Sequence, residues 1–248
     1  MIPAKPRCPS ETTSKVTPNA AILLAGGLSR RMQGHADDKT LLPLEGKPLF
    51  LHSLETFLSS GLAGHIVIVY RDDSHKERLS ALLPANRKSV SFSFVQGGEE
   101  RMYSVYNGLD SLRENPPGLV FIHDSARPFI SVPLLLSLAH AAQKHGAACP
   151  AIRVADTLKR ATPEIPASLK PIRRENLWAL QTPQTFHFPT ILKAYETAMS
   201  DHIPLTDDTS ALSHIGRKVQ LIENPAPNPK LTTPADLPLL EFLLARSK

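Results

Sequence analysis

The stretch at residues 23–39, LLAGGLSRRMQGHADDK, joins a glycine pair to three basic residues after an apolar run. The pair Gly26–Gly27 permits positive φ and a close approach to a ligand, because no Cβ stands in the way. Successive amides in such a turn form an anion-binding nest, and Arg30, Arg31 and Lys39 add charge for phosphate oxygens. The spacing matches neither the P-loop nor the dinucleotide fingerprint. Taken alone, these residues fit a phosphate loop and an ordinary turn with a solvated basic loop equally well.

A second candidate is VFIHDSARPF at residues 120–129, where an apolar strand leads into Asp124, Ser125 and Arg127. Ligands of open α/β sheets bind beyond the carboxyl ends of the strands. This strand end and the Gly26–Gly27 turn could therefore share one crevice. The alternative is a surface ion pair between Asp124 and Arg127.

A third candidate is QGGEERMYSVYNGL at residues 96–109, where another glycine pair follows a strand and precedes a helix. A planar base could approach Gly97 and Gly98, with Glu99 and Ser104 as hydrogen-bonding groups. An ordinary strand–helix connection would need none of this. Three later stretches, LQTPQTF, PLTDDTSAL and PNPKLTTPADL, fit turns and helix caps when considered singly.

Several other chemistries lack their motifs. The sequence contains no H-E-x-x-H, no C-x-x-C and no G-x-S-x-G, so zinc hydrolysis and serine-nucleophile catalysis are not indicated. His123 lies on an apolar strand and is interpreted as a packed residue. Glycines and basic residues favour stabilisation of charge over covalent catalysis.

The elements that would position these residues alternate along the chain. Apolar strands are predicted at 20–25, 65–70, 91–95, 119–123 and 147–152, and helices at 48–60, 74–83, 101–112 and 132–145. Such alternation predicts βαβ units and a largely parallel sheet with helices on both faces. Further helices are predicted at 189–200, 209–214 and 234–245, with a strand at 219–223.

Residues 154–178 are polar and proline-containing, without a helical period. Two short extended pieces at 156–160 and 169–173 predict a β-hairpin arm that projects from the domain. A disordered surface loop is the alternative. The absence of an internal repeat makes residues 20–248 one domain with this arm.

Composition narrows the class of protein further. The chain has 248 residues, is 42% hydrophobic and carries a formal net charge of +5, which suits an anionic substrate. Neither a long basic block for nucleic acid nor an apolar run for a membrane span is present. Cys8 and Cys149 do not make a disulfide framework and indicate a reducing compartment. Residues 1–19 lack a signal-peptide core and are predicted to be a flexible extension of a cytoplasmic protein.

Seven stretches in order carry a resemblance: LLAGGLSRRM with Lys39, QGGEER, HDSARPF, DTLKR, LWALQTPQTF, LTDDTSAL and PKLTTPADL. From about residue 20 onward, the chain resembles the 2-C-methyl-D-erythritol 4-phosphate cytidylyltransferases of the non-mevalonate isoprenoid pathway. The resemblance implies a Rossmann-like nucleotidyltransferase domain whose arm reaches across a homodimer. It also implies CMP transfer from CTP to the sugar-alcohol phosphate, with Mg²⁺ bound mainly through the CTP phosphates.

The resemblance further implies roles for individual residues. Arg31 and Lys39 match the catalytic basic pair on the CTP phosphates. The phosphate loop, cytosine and ribose contacts of CTP match Ala25, Gly26, Gly27, Leu28, Ser29, Gly98, Glu99, Ser104 and Ser125. The methylerythritol phosphate contacts match Asp124, Arg127, Thr182, Thr206 and Lys230. Thr157 and Arg174 on the arm match substrate-binding residues that the family donates to the neighbouring subunit.

Two departures from the family pattern stand out. Asp38, Lys39 and Thr40 replace the usual Pro-Lys-Gln after a slightly longer gap, which loosens the expected placement of the lysine. Glu99 replaces the more usual aspartate.

Three other functions stay open at this point. A ribitol 5-phosphate cytidylyltransferase shares most of the stretches. A molybdenum-cofactor guanylyltransferase shares the first, but HDSARPF, LQTPQTF and LTDDTSAL argue against it. A non-catalytic nucleotide-binding module would be expected to lack Arg31, Lys39 or Asp124, and all three are present.

Overall fold

The computed structural model describes residues 18–27, 38–84, 90–165 and 167–246. Its strands are β1 (Asn19–Leu24), β2 (Pro43–Leu44), β3 (Lys47–Pro48), β4 (Ala63–Tyr70), β5 (Ser91–Gln96), β6 (Leu119–Asp124), β7 (Ala147–Arg153), β8 (Leu158–Ala161), β9 (Leu169–Ile172), β10 (Trp178–Leu180), β11 (Gln184–His187) and β12 (Gln220–Glu223). Its α-helices are α1 (Leu49–Ser60), α2 (Asp73–Ala81), α3 (Arg101–Asp110), α4 (Val132–His145), α5 (Phe188–Ser200), α6 (Asp208–His214) and α7 (Leu237–Ala245). Short 3-10 turns lie at Lys39–Leu41 and Pro234–Asp236.

A central eight-stranded sheet has the order β10-β7-β11-β6-β1-β4-β5, and β12 pairs with β7. The pairs β1–β4, β1–β6, β4–β5 and β12–β7 are parallel. The predicted mostly parallel sheet is thus confirmed. The carboxyl ends of β1, β4, β5 and β6 consequently meet at one edge, as the location of a ligand site requires.

Alternating side chains of β1 enter two separate cores. Ala21 and Leu23 pack with α1 and α4 on one face, whereas Ala20 and Ile22 pack with α3, α5 and α6 on the other. Because successive strand residues point to opposite faces, a continuous apolar strand needs helices on both sides. The sheet is therefore buried in the middle of a three-layer domain.

Local signals fix where α4 begins and ends. The Ser131 side chain accepts a hydrogen bond from the Leu134 amide, and a proline lies in the first turn. Gly146 ends the helix with φ 85°, in the left-handed region that glycine adopts without steric cost. The predicted bounds of this helix, 132–145, coincide with the observed ones.

The predicted arm is present as a two-stranded antiparallel hairpin. Register runs from the pair Leu158–Ile172 to the pair Ala161–Leu169. Nearly all of its side chains are exposed, and Ile165 between the strands is 98% exposed. The hairpin is separate from the central sheet. Because its two strands pair with each other, the alternative of a disordered surface loop is wrong.

The structure differs from prediction around residues 178–187. The LQTPQTF stretch, interpreted as a turn, contributes to β10 and β11, and β11 runs antiparallel between β6 and β7. The final predicted helix at 234–245 is a 3-10 turn followed by α7. Asn19, assigned to the extension, opens β1; the rest of that extension, up to residue 17, lies outside the described residues. Among the described helices, none is both long and apolar enough to span a membrane.

Candidate active site

A cavity of about 370 Å³ opens at the carboxyl edge of the parallel strands. Its lining combines the turn after β1, the 3-10 turn at Lys39, the start of α3, the end of β6 and the segment before α7. Nine residues predicted from sequence line it: Ala25, Gly26, Gly27, Lys39, Gly98, Glu99, Ser104, Asp124 and Lys230. The two strand ends do share one crevice, and their ligand assignments stay predictions.

The glycine turn after β1 works differently from expectation. Gly26 and Gly27 are not among the residues with positive φ. A Cβ on Gly26 would instead lie 2.9 Å from the carbonyl carbon and oxygen of Tyr70, so glycine is needed for close packing against β4. The Ala25 amide donates to Val69 O at 2.9 Å and the Gly27 amide to Ala25 O at 3.0 Å. These two amides are bonded within the protein, which corrects the anion nest expected of them.

Two cations hold the carboxylate of Asp124. Arg101 Nε lies 3.1 Å from Asp124 Oδ1, and Lys230 Nζ lies 2.5 Å from Oδ2. Burial alone would raise the pKa of Asp124, but Arg101 and Lys230 hold that pKa well below its ordinary value. Asp124 is consequently ionised, and the surface pair with Arg127 is wrong. Arg127 Nη1 donates instead to Asn228 O at 2.7 Å.

Arg101 continues this charge network into the core. Its Nη1 and Nη2 donate to the two oxygens of Asp208, at 2.7 Å and 2.9 Å. Tyr195 donates to Asp208 Oδ1 at 2.6 Å, and Asp208 is fully buried. Burial lowers the pKa of Arg101, yet Asp208 and Asp124 raise it well above its ordinary range. The guanidinium is therefore a fixed positive charge that joins α3, β6 and α6.

Backbone pairing places Lys230 beside Asp124. The Leu231 amide donates to Ala126 O at 2.9 Å, and both residues belong to a small apolar cluster with Leu240 of α7. A residue more than a hundred positions along the chain thus reaches the end of β6. Packing of α7 therefore determines one wall of the cavity.

The opposite wall is the second glycine turn. The Gly98 amide donates to Ser104 Oγ at 3.1 Å, and a Cβ on Gly98 would collide with that of Tyr103. This turn folds onto the first residues of α3, with Glu99 and Ser104 facing the cavity.

Other predicted residues do not line the cavity. Ser125 is fully buried, its amide donating to Leu24 O. Thr182 lies behind Asp124, where Oγ1 accepts from the Asp124 amide at 3.1 Å. Thr206 Oγ1 lies 3.1 Å from Ser210 Oγ near α6. Exposed on the arm side are Thr157 and Arg174, and outside the described residues lie Leu28, Ser29 and Arg31.

Sequence reasoning missed three residues of the site. Arg101 and Asp208 lie inside quoted stretches, QGGEER and LTDDTSAL, but pairing across more than a hundred residues leaves no spacing signal. Thr232 lines the cavity two residues after Lys230. His123, interpreted as a packed residue, is indeed fully buried, with Nδ1 3.1 Å from Thr182 Oγ1.

Comparison with known proteins gives the site a family. The family model described as 2-C-methyl-D-erythritol 4-phosphate cytidylyltransferase, IspD, matches residues 19–246. The chain belongs to this family. It is similar to the enzyme of that name from Geobacillus kaustophilus, at 41% identity over 91% of this chain and 96% of the relative. A relative of the same name from Shouchella clausii is 37% identical over 92% of this chain and 96% of its own length.

Solved IspD structures share the fold. The 4-diphosphocytidyl-2C-methyl-D-erythritol synthase of Anaerococcus prevotii has a TM-score of 0.79 at 25% identity, covering 93% of this chain and 99% of its own. The Thermus thermophilus cytidylyltransferase has a TM-score of 0.72 at 30% identity, covering 91% and 98%. The nucleotidyltransferase fold predicted from the resemblance is thereby confirmed.

Proposed function

We propose that this IspD-family protein transfers CMP from CTP to 2-C-methyl-D-erythritol 4-phosphate, forming 4-diphosphocytidyl-2-C-methyl-D-erythritol and pyrophosphate. The observation that carries the proposal is the cavity, where Lys39, Arg101 and Lys230 converge at the sheet edge between two glycine turns. Both substrates are anions, and this arrangement suits two anions that must be brought together. Family membership supplies the identity of the acceptor.

The reaction needs charge neutralisation and alignment. An oxygen of the acceptor phosphate attacks the α-phosphorus of CTP, and the bond to the pyrophosphate breaks. That oxygen is already anionic, so no general base is required. Lys39, together with Arg31, would neutralise charge on the α-phosphate and the departing pyrophosphate. The second glycine turn, Gly98 to Ser104, would receive the cytosine.

The acceptor would bind near Asp124 and Lys230. Because the carboxylate of Asp124 is ionised, it can accept hydrogen bonds from hydroxyls of the acceptor while it holds Lys230 in place. Lys230 would contact the acceptor phosphate, and the proposal keeps Thr206 and Arg127 as further residues that would bind the acceptor. This arrangement would orient the attacking oxygen toward the triphosphate.

Magnesium would enter with the nucleotide. The described residues contain no group of three or more His, Cys, Asp or Glu side chains that could hold a metal. Arg101 and Lys230 both contact Asp124, and their positive charges would repel a divalent cation from its oxygens. The residues present therefore fit an ion ligated mainly by CTP phosphate oxygens and water. Such an ion would neutralise charge on the triphosphate in the transition state.

A homodimer through the arm is part of the proposal. Isolated two-stranded hairpins are marginally stable in water, and this one exposes Ile165 and 60% of Leu169. A second subunit would cover these apolar side chains. Arg174 and Thr157 would then reach the neighbouring cavity.

We also propose a cytoplasmic location. The whole chain contains only two cysteines, which fits a compartment where thiols stay reduced.

The test is pyrophosphate release from CTP with Mg²⁺, measured in turn with methylerythritol 4-phosphate and ribitol 5-phosphate. We expect release with the former at a kcat/KM at least tenfold higher. Preference for ribitol 5-phosphate would overturn the acceptor assignment. No release with either acceptor would favour a non-catalytic nucleotide-binding module. Replacing CTP with GTP in the same assay tests the alternative of a guanylyltransferase.

A further inference from the structure

Two buried polar residues flank Lys39 and bond to each other. The Thr40 amide donates to Asp38 Oδ1 at 3.0 Å, and the Thr40 hydroxyl donates to the same oxygen at 2.6 Å. Asp38 and Thr40 are 6% and 2% exposed, and Asp38 caps the 3-10 turn that begins at Lys39. These are the two residues by which the chain departs from the family pattern around its lysine.

A histidine from α2 closes the other side of this carboxylate. His75 is buried, and its Nε2 lies 2.8 Å from Asp38 Oδ2. The Arg71 amide donates to His75 Nδ1 at 3.2 Å, so the proton of the neutral ring is on Nε2, toward Asp38. The His75 amide in turn donates to Asp72 Oδ1 at 2.9 Å. The ring is thus fixed by the segment that follows β4.

Asp38 is the residue type that these neighbours require. Thr40 donates twice to Oδ1, and His75 Nε2 lies 2.8 Å from Oδ2. A carboxylate accepts at both oxygens, whereas an asparagine presents one acceptor and one donor. Burial alone would raise the pKa of Asp38, but hydrogen bonds from His75 and Thr40 outweigh it and lower that pKa. The Asp38 carboxylate is therefore ionised in the folded protein.

We propose that Asp38 and His75 are positioning residues for Lys39, holding its backbone so that the ammonium group is presented to the triphosphate side of the cavity. The proposal rests on the proposed function, because that function gives Lys39 its task. A lysine carries a long flexible side chain, and the free energy of ordering it opposes catalysis unless the backbone is already fixed. Rate depends steeply on such placement, since an error of about 1 Å can cost 10²-fold.

A double-mutant cycle tests the coupling between His75 and Lys39. We call Asp38 and His75 the clamp. We expect His75→Ala to lower kcat about tenfold in the wild-type background. In a Lys39→Ala background the loss should be less than twofold, because the clamp then has no lysine side chain to position. KM for methylerythritol 4-phosphate should change less than twofold. His75→Gln, whose amide can donate from near the Nε2 position, should recover at least half of the wild-type kcat.

Leu79→Val is the matched control, because Leu79 is fully buried on the same helix α2 and belongs to the apolar core. Its kcat should stay within twofold of wild type at a similar loss of Tm. Equal losses for His75→Ala in both backgrounds, or an equal loss in the control, would show a merely structural effect and overturn the clamp.

A second readout separates this inference from the proposed function. The rate at which acetic anhydride acetylates Lys39, followed by mass spectrometry, does not require turnover. We expect His75→Ala and Asp38→Asn to change that rate at least threefold and His75→Gln to leave it near the wild-type value. Unchanged rates would overturn the clamp even in an active enzyme. Absence of CMP transfer in the wild type would overturn the function alone.

Discussion

Lys39 is the described residue to which the proposed function assigns the main charge on the CTP phosphates. It lines the cavity from the 3-10 turn Lys39–Leu41, between its buried neighbours Asp38 and Thr40. Lys230 contacts Asp124, with 2.5 Å between Nζ and Oδ2. In the proposed function the two lysines would bind different anions, so their loss should affect different kinetic constants.

Lys39→Ala should lower kcat by about 10²–10³ with little change in KM for methylerythritol 4-phosphate, because a charge that acts mainly in the transition state is removed. Steady-state pyrophosphate release measures both constants. Lys47→Ala, which removes an exposed lysine paired with Glu55, serves as the control and should retain full activity. A Lys39→Ala enzyme with wild-type kcat would contradict the assignment.

His123 should make stability depend on pH. Burial lowers its pKa to about 3, from an ordinary 6.5, with Asp124, Arg127 and Lys230 as the neighbouring charges. Between these values the unfolded chain binds the proton and the folded chain does not, so the free energy of unfolding falls as pH falls from 6.5 toward 3. Between pH 7 and pH 5.5, His123→Gln should lose about 1 kcal/mol less than wild type in urea unfolding. Equal losses in the two proteins would contradict the prediction.

Among the secondary-structure elements, the sequence predicted best those strands that are continuous apolar runs. The strands β1, β4, β6 and β7 were predicted within two residues because each is largely a buried apolar run between turn signals. β5 was predicted within one residue, although its side chains are only half-buried or exposed. β10 and β11 were not, since short strands in a polar, proline-containing segment owe their conformation to the partners they join. Both glycine pairs found in the sequence contribute residues that line the cavity. The Arg101–Asp208 pair could not be inferred, because the two residues meet only in the folded domain, where α3 and α6 both pack against α5.

The Arg101–Asp208 pair is predicted to bind α3 to α6. Removing one partner of a buried pair leaves an uncompensated charge, so Asp208→Asn should lower the free energy of unfolding by about 3 kcal/mol. Asp110→Asn breaks the exposed pair with Arg113 and should cost less than about 1 kcal/mol. Urea titration of both variants provides the comparison. Similar losses in the two would show that burial of Asp208 is not what makes the pair matter.

At the scale of the whole molecule, the proposed dimer divides each active site between two chains. Lys39 belongs to the domain that holds the cavity, whereas Arg174 lies beyond β9 on the exposed arm side. Within one subunit the arm strands pair with each other and not with the central sheet. The arrangement predicts complementation between chains that are defective in different halves.

Lys39→Ala and Arg174→Ala should therefore each be nearly inactive as purified dimers, yet gain activity when unfolded together and refolded as a mixture. In half of the mixed population the two chains differ, and one of the two sites in such a dimer combines an intact Lys39 with an intact Arg174. Random pairing thus restores about a quarter of the wild-type rate. Light scattering should give twice the mass of one chain. If the arm served its own subunit, every site would carry one defect and the mixture would show only the mean activity of the two variants.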